Sequence, residues 1–240
     1  MRTNNEDMIL IGSELLRNDV YKTSFTTKAD NRLLLAIADG MGGHLAGDIA
    51  SRMTADLLAE ALKGLEPRTD TLQESIGRIN EQVFERQKND VSLRGMGTTL
   101  TVLWEADEVI YCAHVGDSRA YLLRGGELRQ VTLDHSMVAE LMREGLITAE
   151  EAAVHPYRHI ITRAVGTDPT VEADIITETK TPGDRWLICS DGLTGAVSDI
   201  VLKEHMEKYE LQEAADRLLA LALEQGGQDN ITLVLTEVQP

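Results

Sequence analysis

The chain has 240 residues, 42% of them hydrophobic, enough for one large domain with a sizeable core. A formal net charge of -17, from 40 acidic against 23 basic residues, argues against non-specific nucleic-acid binding or an anionic membrane surface as the main role. Aromatic residues make up only 4%, so Leu, Ile, Val, Ala and Met must fill the interior, and the two cysteines, Cys112 and Cys189, sit in apolar runs as expected of buried thiols in a reducing cytoplasm.

No signal-peptide core and no apolar run of membrane-spanning length is visible. No repeat, linker or low-complexity stretch divides the chain, so one domain over 1–240 is expected. Near the start, MILIG (8–12) is apolar and follows the acidic pair Glu6-Asp7. NRLLLAIA (31–38) reads as a buried strand running into Asp39-Gly40. Ile49, Met53 and Leu57, with Ala50 and Leu58 beside them, predict an amphipathic helix over 47–64. Leu72, Ile76, Ile79 and Val83 predict a second. The stretch 97–132 is rich in β-branched and aromatic residues and is broken at 107–108, 116–117 and 125–126, which predicts a four-stranded antiparallel meander. Short helices are expected over 136–145 and 148–154, and a strand, DRWLICS (184–190), then ends in Asp191-Gly192. Two more helices and a last strand, NITLVLTEV (230–238), close the chain. Helices come in pairs and strands in runs, so the order predicts an α+β fold with antiparallel sheets covered by helix pairs.

Acids recur at the mouths of these apolar segments: Glu6 and Asp7, Asp39, Asp117, Asp191 and Asp229. Any one Asp-Gly step is an ordinary turn. Several carboxylates gathered at strand ends repel one another unless a cation intervenes. Oxygen-only ligands suit Mg²⁺ or Mn²⁺, and no His/Cys pairs at zinc spacing are present. GMGGHLAG lacks the glycine spacing of a dinucleotide fingerprint and no Gly-Lys-Ser/Thr follows, so a nucleotide-loop reading fails.

The segments RTNNED (2–7), ADGMGGHLAG (38–47), MGTTL (96–100), HVGDSRAY (114–121), SDGL (190–193) and GGQDNIT (226–232) stand in the order found in bacterial-type PPM, or protein phosphatase 2C, metal-dependent Ser/Thr phosphatases. The chain resembles that family over essentially its whole length. The resemblance implies a four-layer α-β-β-α sandwich, two antiparallel sheets flanked by helix pairs, with a flap at roughly 134–167. It implies hydrolysis of phospho-Ser and phospho-Thr by direct attack of a metal-bridged water or hydroxide. Asp39 would bridge two core Mn²⁺ or Mg²⁺ ions, Asp191 and Asp229 would complete one shell, and Glu6 with the Gly40 carbonyl would serve the other. Asp7 would orient metal-bound water, Asp117 would hold a third ion, and Arg2 would grip the substrate phosphate.

Two features depart from the family pattern. Arg2 directly follows Met1, so the N-terminal edge strand reads as short or missing. Many eukaryotic members carry a histidine right after Asp-Gly; here Met41 stands there and His44 is the nearest, with a hydrogen-bonding role expected ahead of a catalytic one. His114 is expected to be a satisfied core histidine, whereas His135 and His159 border the flap and are candidates for meeting substrate. Ser118 and Ser190 lie in no nucleophile elbow. The implied partners are phosphorylated Ser/Thr proteins, a cognate Ser/Thr kinase among them, met by a cytoplasmic monomer with no nucleic acid or membrane bound. A phosphatase dedicated to one regulatory phosphoprotein, of the anti-sigma-antagonist type, is the nearest alternative. A non-catalytic phosphoprotein-binding pseudophosphatase is the other, and the presence of every carried-over acid speaks against it.

Overall fold

A computed structural model describes residues 4–17, 33–42 and 44–239. The strands are β1 (Asp7–Ile11), β2 (Glu14–Leu16), β3 (Leu34–Met41), β4 (Gly97–Thr98), β5 (Leu100–Glu105), β6 (Val109–Val115), β7 (Arg119–Arg124), β8 (Glu127–Gln130), β9 (Asp174–Thr179), β10 (Arg185–Cys189) and β11 (Leu233–Glu237). The helices are α1 (His44–Leu62), α2 (Thr69–Asn89), α3 (Met137–Arg143), α4 (Ala149–Ala153), α5 (Asp191–Thr194), α6 (Asp199–Lys208) and α7 (Leu211–Glu224). The larger sheet runs β2-β1-β3-β5-β6-β9 with β4 paired to β3, and the smaller runs β11-β10-β7-β8. Neighbouring strands are antiparallel, as β1 with β3 and β10 with β7 illustrate.

Three apolar interfaces stack these elements into four layers. Leu34, Ala36 and Ala38 of β3 face α1 and α2, where Ala50, Leu58, Leu72, Ile76 and Ile79 are buried. The alternate residues Leu35 and Ile37 face the smaller sheet and meet Ala120, Leu122, Trp186 and Ile188. On that sheet's far side, Tyr121, Leu123, Leu187 and Cys189 pack on Leu202, Met206 and Leu218 of α6 and α7. A strand covered on both faces must be apolar at successive positions, which explains the unbroken run LLAIA. Each fully buried Leu or Ile contributes about 1.5–3 kcal/mol, so these three interfaces carry the stability of the sandwich.

The four-stranded meander expected over 97–132 does not form. β6 pairs with β5 and β9 in the larger sheet, whereas β7 pairs with β10 and β8 in the smaller one. The chain changes sheets at Gly116-Asp117-Ser118, where Gly116 has φ 111 and an added Cβ would strike the Thr99 side chain. Period-two patterning reports a strand but not its partner, and β9, which the sequence reading passed over, takes the place beside β6. β3 runs on through Asp39 and Gly40 to Met41, so Asp39 stands within the strand and not beyond it. Helix α1 begins at His44, ahead of the expected start at 47. No described helix is long and apolar enough to cross a membrane.

Candidate metal centre

Strand register brings the first two acids together. Asp7 and Asp39 are direct cross-strand partners at one end of the larger sheet. Asp39 continues the side of β3 that carries Leu35 and Ile37, so its carboxyl belongs to the space between the sheets. Asp7 continues the same side of β1, beyond Ile9 and Ile11. From the other sheet, Ser190 at the end of β10 donates its hydroxyl to Asp7 Oδ2 at 2.9 Å. Asp191 follows as the first residue of α5, and Asp117 lies at the corner where the chain passes between sheets.

Backbone clamps fix these positions. Thr98 Oγ1 and the Thr99 amide both donate to the Asp39 carbonyl at 2.8 Å. The Asp39 amide donates to Thr99 Oγ1 at 3.0 Å. Thr99 Oγ1 also bonds Ser118 Oγ at 2.8 Å, tying the Asp117 corner to the Asp39 strand. Asn230 Oδ1 accepts from the Glu6 amide at 3.0 Å, and Asn230 Nδ2 donates to the Asn4 carbonyl at 2.9 Å. That side chain sits beside Asp229 and joins the β11 approach to the β1 approach. Gly40 and Gly47 let α1 pass against β3 so closely that a Cβ on Gly40 would run into the Gly47 carbonyl and one on Gly47 into Glu6.

Burial and mutual repulsion raise three of these carboxyls, Asp39, Asp7 and Asp117. Burial, followed by the charges of Asp7, Asp191, Asp117 and Asp229, raises the Asp39 carboxyl well above its ordinary range. Burial raises Asp7, opposed in part by hydrogen bonds from Thr232, Ser190 and Asp39. Burial and then the Asp191 charge push Asp117 up to about 7. Asp7 Oδ1 and Asp117 Oδ1 are buried with no hydrogen-bond partner among the described residues. Buried carboxylate oxygens that repel one another and lack donors fit a hard divalent cation, which takes oxygen ligands and cancels the repulsion. Among the described residues, no three Asp, Glu, His or Cys side chains are already drawn together into a ligating group. The candidate ligands therefore share a neighbourhood without forming a closed cage.

The other expected residues fall as follows. Glu6 is buried at the mouth of β1. Arg2 lies outside the described residues, as does the side chain of His44, whose backbone opens α1. His159 is exposed on the flap, in the turn between α4 and β9. His114 is fully buried and its Nδ1 bonds Thr101 Oγ1 at 3.0 Å, but its Nε2 has no hydrogen-bond partner among the described residues, so the expected satisfied core histidine is satisfied at one ring nitrogen only; burial holds its pKa down at about 4.

His135 corrects the expectation that it meets substrate: only 3% of it is exposed. Its Nδ1 accepts from the Gly116 amide at 3.0 Å, its own amide donates to the Gly116 carbonyl at 2.7 Å, and its Nε2 reaches Asp174 at 3.2 Å. With Nδ1 accepting, the ring proton sits on Nε2 and points at Asp174. His135 thus anchors the root of the flap to the Asp117 corner. The other flap root is held by the bridge from Thr98 to Val165. Ser118 and Ser190 are fully buried in hydrogen bonds, which removes them as nucleophiles. The clamping roles of Thr98, Thr99, Ser190 and Asn230 were not read from the sequence; their signal was the small polar residues placed beside each acid in MGTTL, SDGL and QDNIT.

A profile of the protein phosphatase 2C family matches residues 11–235. The serine/threonine phosphatase stp of Listeria monocytogenes is 41% identical over 215 residues, covering 87% of this chain and 85% of that protein. PstP of Mycobacterium tuberculosis, a serine/threonine protein phosphatase, is 41% identical over 99% of this chain, which spans 43% of PstP. The crystal structure of a PstP catalytic domain in complex with 2 manganese ions superposes with a TM-score of 0.83 at 39% identity, covering 100% of this chain and 94% of that one.

Proposed function

The chain belongs to the protein phosphatase 2C family, so it is a metal-dependent protein serine/threonine phosphatase, and we propose that its chemistry is carried by the carboxylates between the two sheets. The observation behind this reading is the crowding of Asp39 by Asp7, Asp191, Asp117 and Asp229, each from a different strand end. In this reading Asp39 would serve both of two Mn²⁺ or Mg²⁺ ions, Asp191 and Asp229 would help hold one, and Glu6 with the Gly40 carbonyl would help hold the other. Asp117 would take a third ion. Bound there, the cations would supply Lewis acidity to activate water and to neutralise charge on the phosphoryl group.

The residues do the rest. Asp7, held by Ser190 and facing Asp39, accepts a hydrogen bond from the attacking water and aims its lone pair at phosphorus. Arg2 grips the phosphoryl oxygens with a bidentate fork. The flap roots at His135 and Val165 keep the substrate-covering segment in register with the Asp117 and Asp39 corners. We take the chain as one catalytic domain, a cytoplasmic monomer, acting on phosphorylated Ser/Thr proteins that include a cognate kinase. The net charge of -17 supports a partner set without nucleic acid or anionic membrane.

Hydrolysis of para-nitrophenyl phosphate and of a phosphothreonine peptide, with Mn²⁺ and with EDTA, tests the reading. Turnover is expected with Mn²⁺ and abolished by chelator. Pure folded protein with no Mn²⁺-dependent turnover refutes it.

A further inference from the structure

Two side chains outside the carboxylate set hold the backbone from which Glu6 and Asp7 project. Arg17, just past β2, donates through Nε to the Asp7 carbonyl at 2.9 Å. Its Nη2 donates to the Asp48 carbonyl at 3.1 Å and to Ser51 Oγ at 2.9 Å, and its Nη1 pairs with the Asp48 carboxylate. Ser51 Oγ in turn donates to the Glu6 carbonyl at 2.5 Å. Asp48 and Ser51 lie at i and i+3 on α1, so Ser51 holds the Glu6 carbonyl directly while Arg17, anchored on that same helix face through Asp48 and Ser51, holds the next carbonyl, that of Asp7. Ser51 is fully buried and the Arg17 side chain only 16% exposed. Burial weakens the hold of Arg17 on its proton, and the nearby charges of Asp7 and Glu6 oppose that effect. A mostly buried guanidinium is costly unless its donors are satisfied, and here each nitrogen has an acceptor. Three contacts in divergent directions need the planar fork of arginine, which an ammonium group lacks.

Because Asp7 stands opposite Asp39 in the ladder, fixing the Asp7 carbonyl also fixes the spacing of that carboxylate pair. We infer that Arg17 and Ser51 are positioning residues for the divalent-cation centre: they set the backbone of Glu6 and Asp7 and through it the affinity for metal. This rests on the metal reading above. Neither residue is assigned contact with cation or substrate.

The test is calorimetric titration of the EDTA-stripped full chain with Mn²⁺ alone, for the wild type, Arg17→Lys, Ser51→Ala and the double variant. Arg17→Lys keeps the charge and loses the fork; Ser51→Ala removes the link to Glu6 and one acceptor of Arg17 Nη2, and leaves the Arg17 bonds to Asp7 and Asp48 possible. Each single variant is expected to weaken Mn²⁺ binding by about tenfold or more, as loss of an outer partner of a metal ligand does. The double variant should fall short of the product of the two, because both residues serve one relay. Raising Mn²⁺ should restore para-nitrophenyl phosphate turnover in both. Folded variants with wild-type Mn²⁺ affinity overturn the inference, even if they melt earlier, since a purely structural role moves only the melting temperature. Should Arg17→Lys fail to fold, Ser51→Ala decides alone. A wild type that takes up no Mn²⁺ refutes the metal reading itself, a failure distinct from variants that bind as tightly as the wild type.

Discussion

Replacing Asp117 by Asn separates the electrostatic strain of the carboxylate cluster from its chemistry. In the metal-free protein this carboxyl is pushed up to about 7 from 3.8, by burial and then by the Asp191 charge. A folded-state pKa above the unfolded value means that stability is fully present below 3.8 and is lost as pH rises through about 7. Integrated to about pH 8, that is about 4 kcal/mol at most, while at about pH 4.5 it is about 1 kcal/mol. The asparagine keeps the shape and removes the charge, but it buries an amide at a place where Oδ1 has no partner, which takes back about 1–2 kcal/mol. Asp117→Asn should therefore stabilise the protein in EDTA by about 2–3 kcal/mol at about pH 8, raising the melting temperature by about 5–10 °C, and gain nothing at about pH 4.5. Urea unfolding at the two pH values reads the difference directly. With saturating Mn²⁺ the order should reverse, because the wild type then keeps an oxygen ligand that the variant lacks. A variant no more stable than wild type in EDTA at the higher pH, or a difference independent of pH, refutes the account of repulsion and burial.

Asp39→Asn should abolish Mn²⁺-dependent phosphatase activity while leaving metal-free stability equal or improved; an unfolded variant makes Asp39 structural, and a stable one that stays active removes it from the metal centre. His114 is held neutral with a pKa of about 4 against 6.5, so its contribution is complete above 6.5 and is lost as pH falls towards 4. That amounts to about 3 kcal/mol, and His114→Gln should flatten the loss of stability between those pH values in urea titrations. Cys112 and Cys189 are fully buried with thiols pushed up to about 12, so neither should react with a thiol reagent at about pH 8 until the protein unfolds. A rapid stoichiometric reaction with the folded chain contradicts that burial.

The acids of the centre were legible because each lies beside a long apolar run, and a strand buried on both faces leaves no other reading for LLLAIA or WLIC. The helices α1, α2 and α7 were legible from apolar residues repeating at helical spacing. β9 was not, because DIITET is only half-buried at a sheet edge and carries no strong alternation. His135 misled for a related reason: its place in the chain is beside the flap, but its ring points inward to Gly116 and Asp174.

The order of residues along the chain is enough to place acids at strand ends, to make their ligand chemistry oxygen and acidic, and to lay helix pairs over antiparallel strands. Composition and periodicity suffice for this, since they are local consequences of side-chain volume, polarity and charge. The folded chain alone shows that Asp7 faces Asp39, that the chain changes sheets at Asp117, and that Thr99, Asn230, Arg17 and Ser51 hold those corners in place. These depend on register and on contacts between segments far apart in the chain, and a hydrogen bond from Asn230 to Glu6 across 224 positions leaves no periodic trace in either segment.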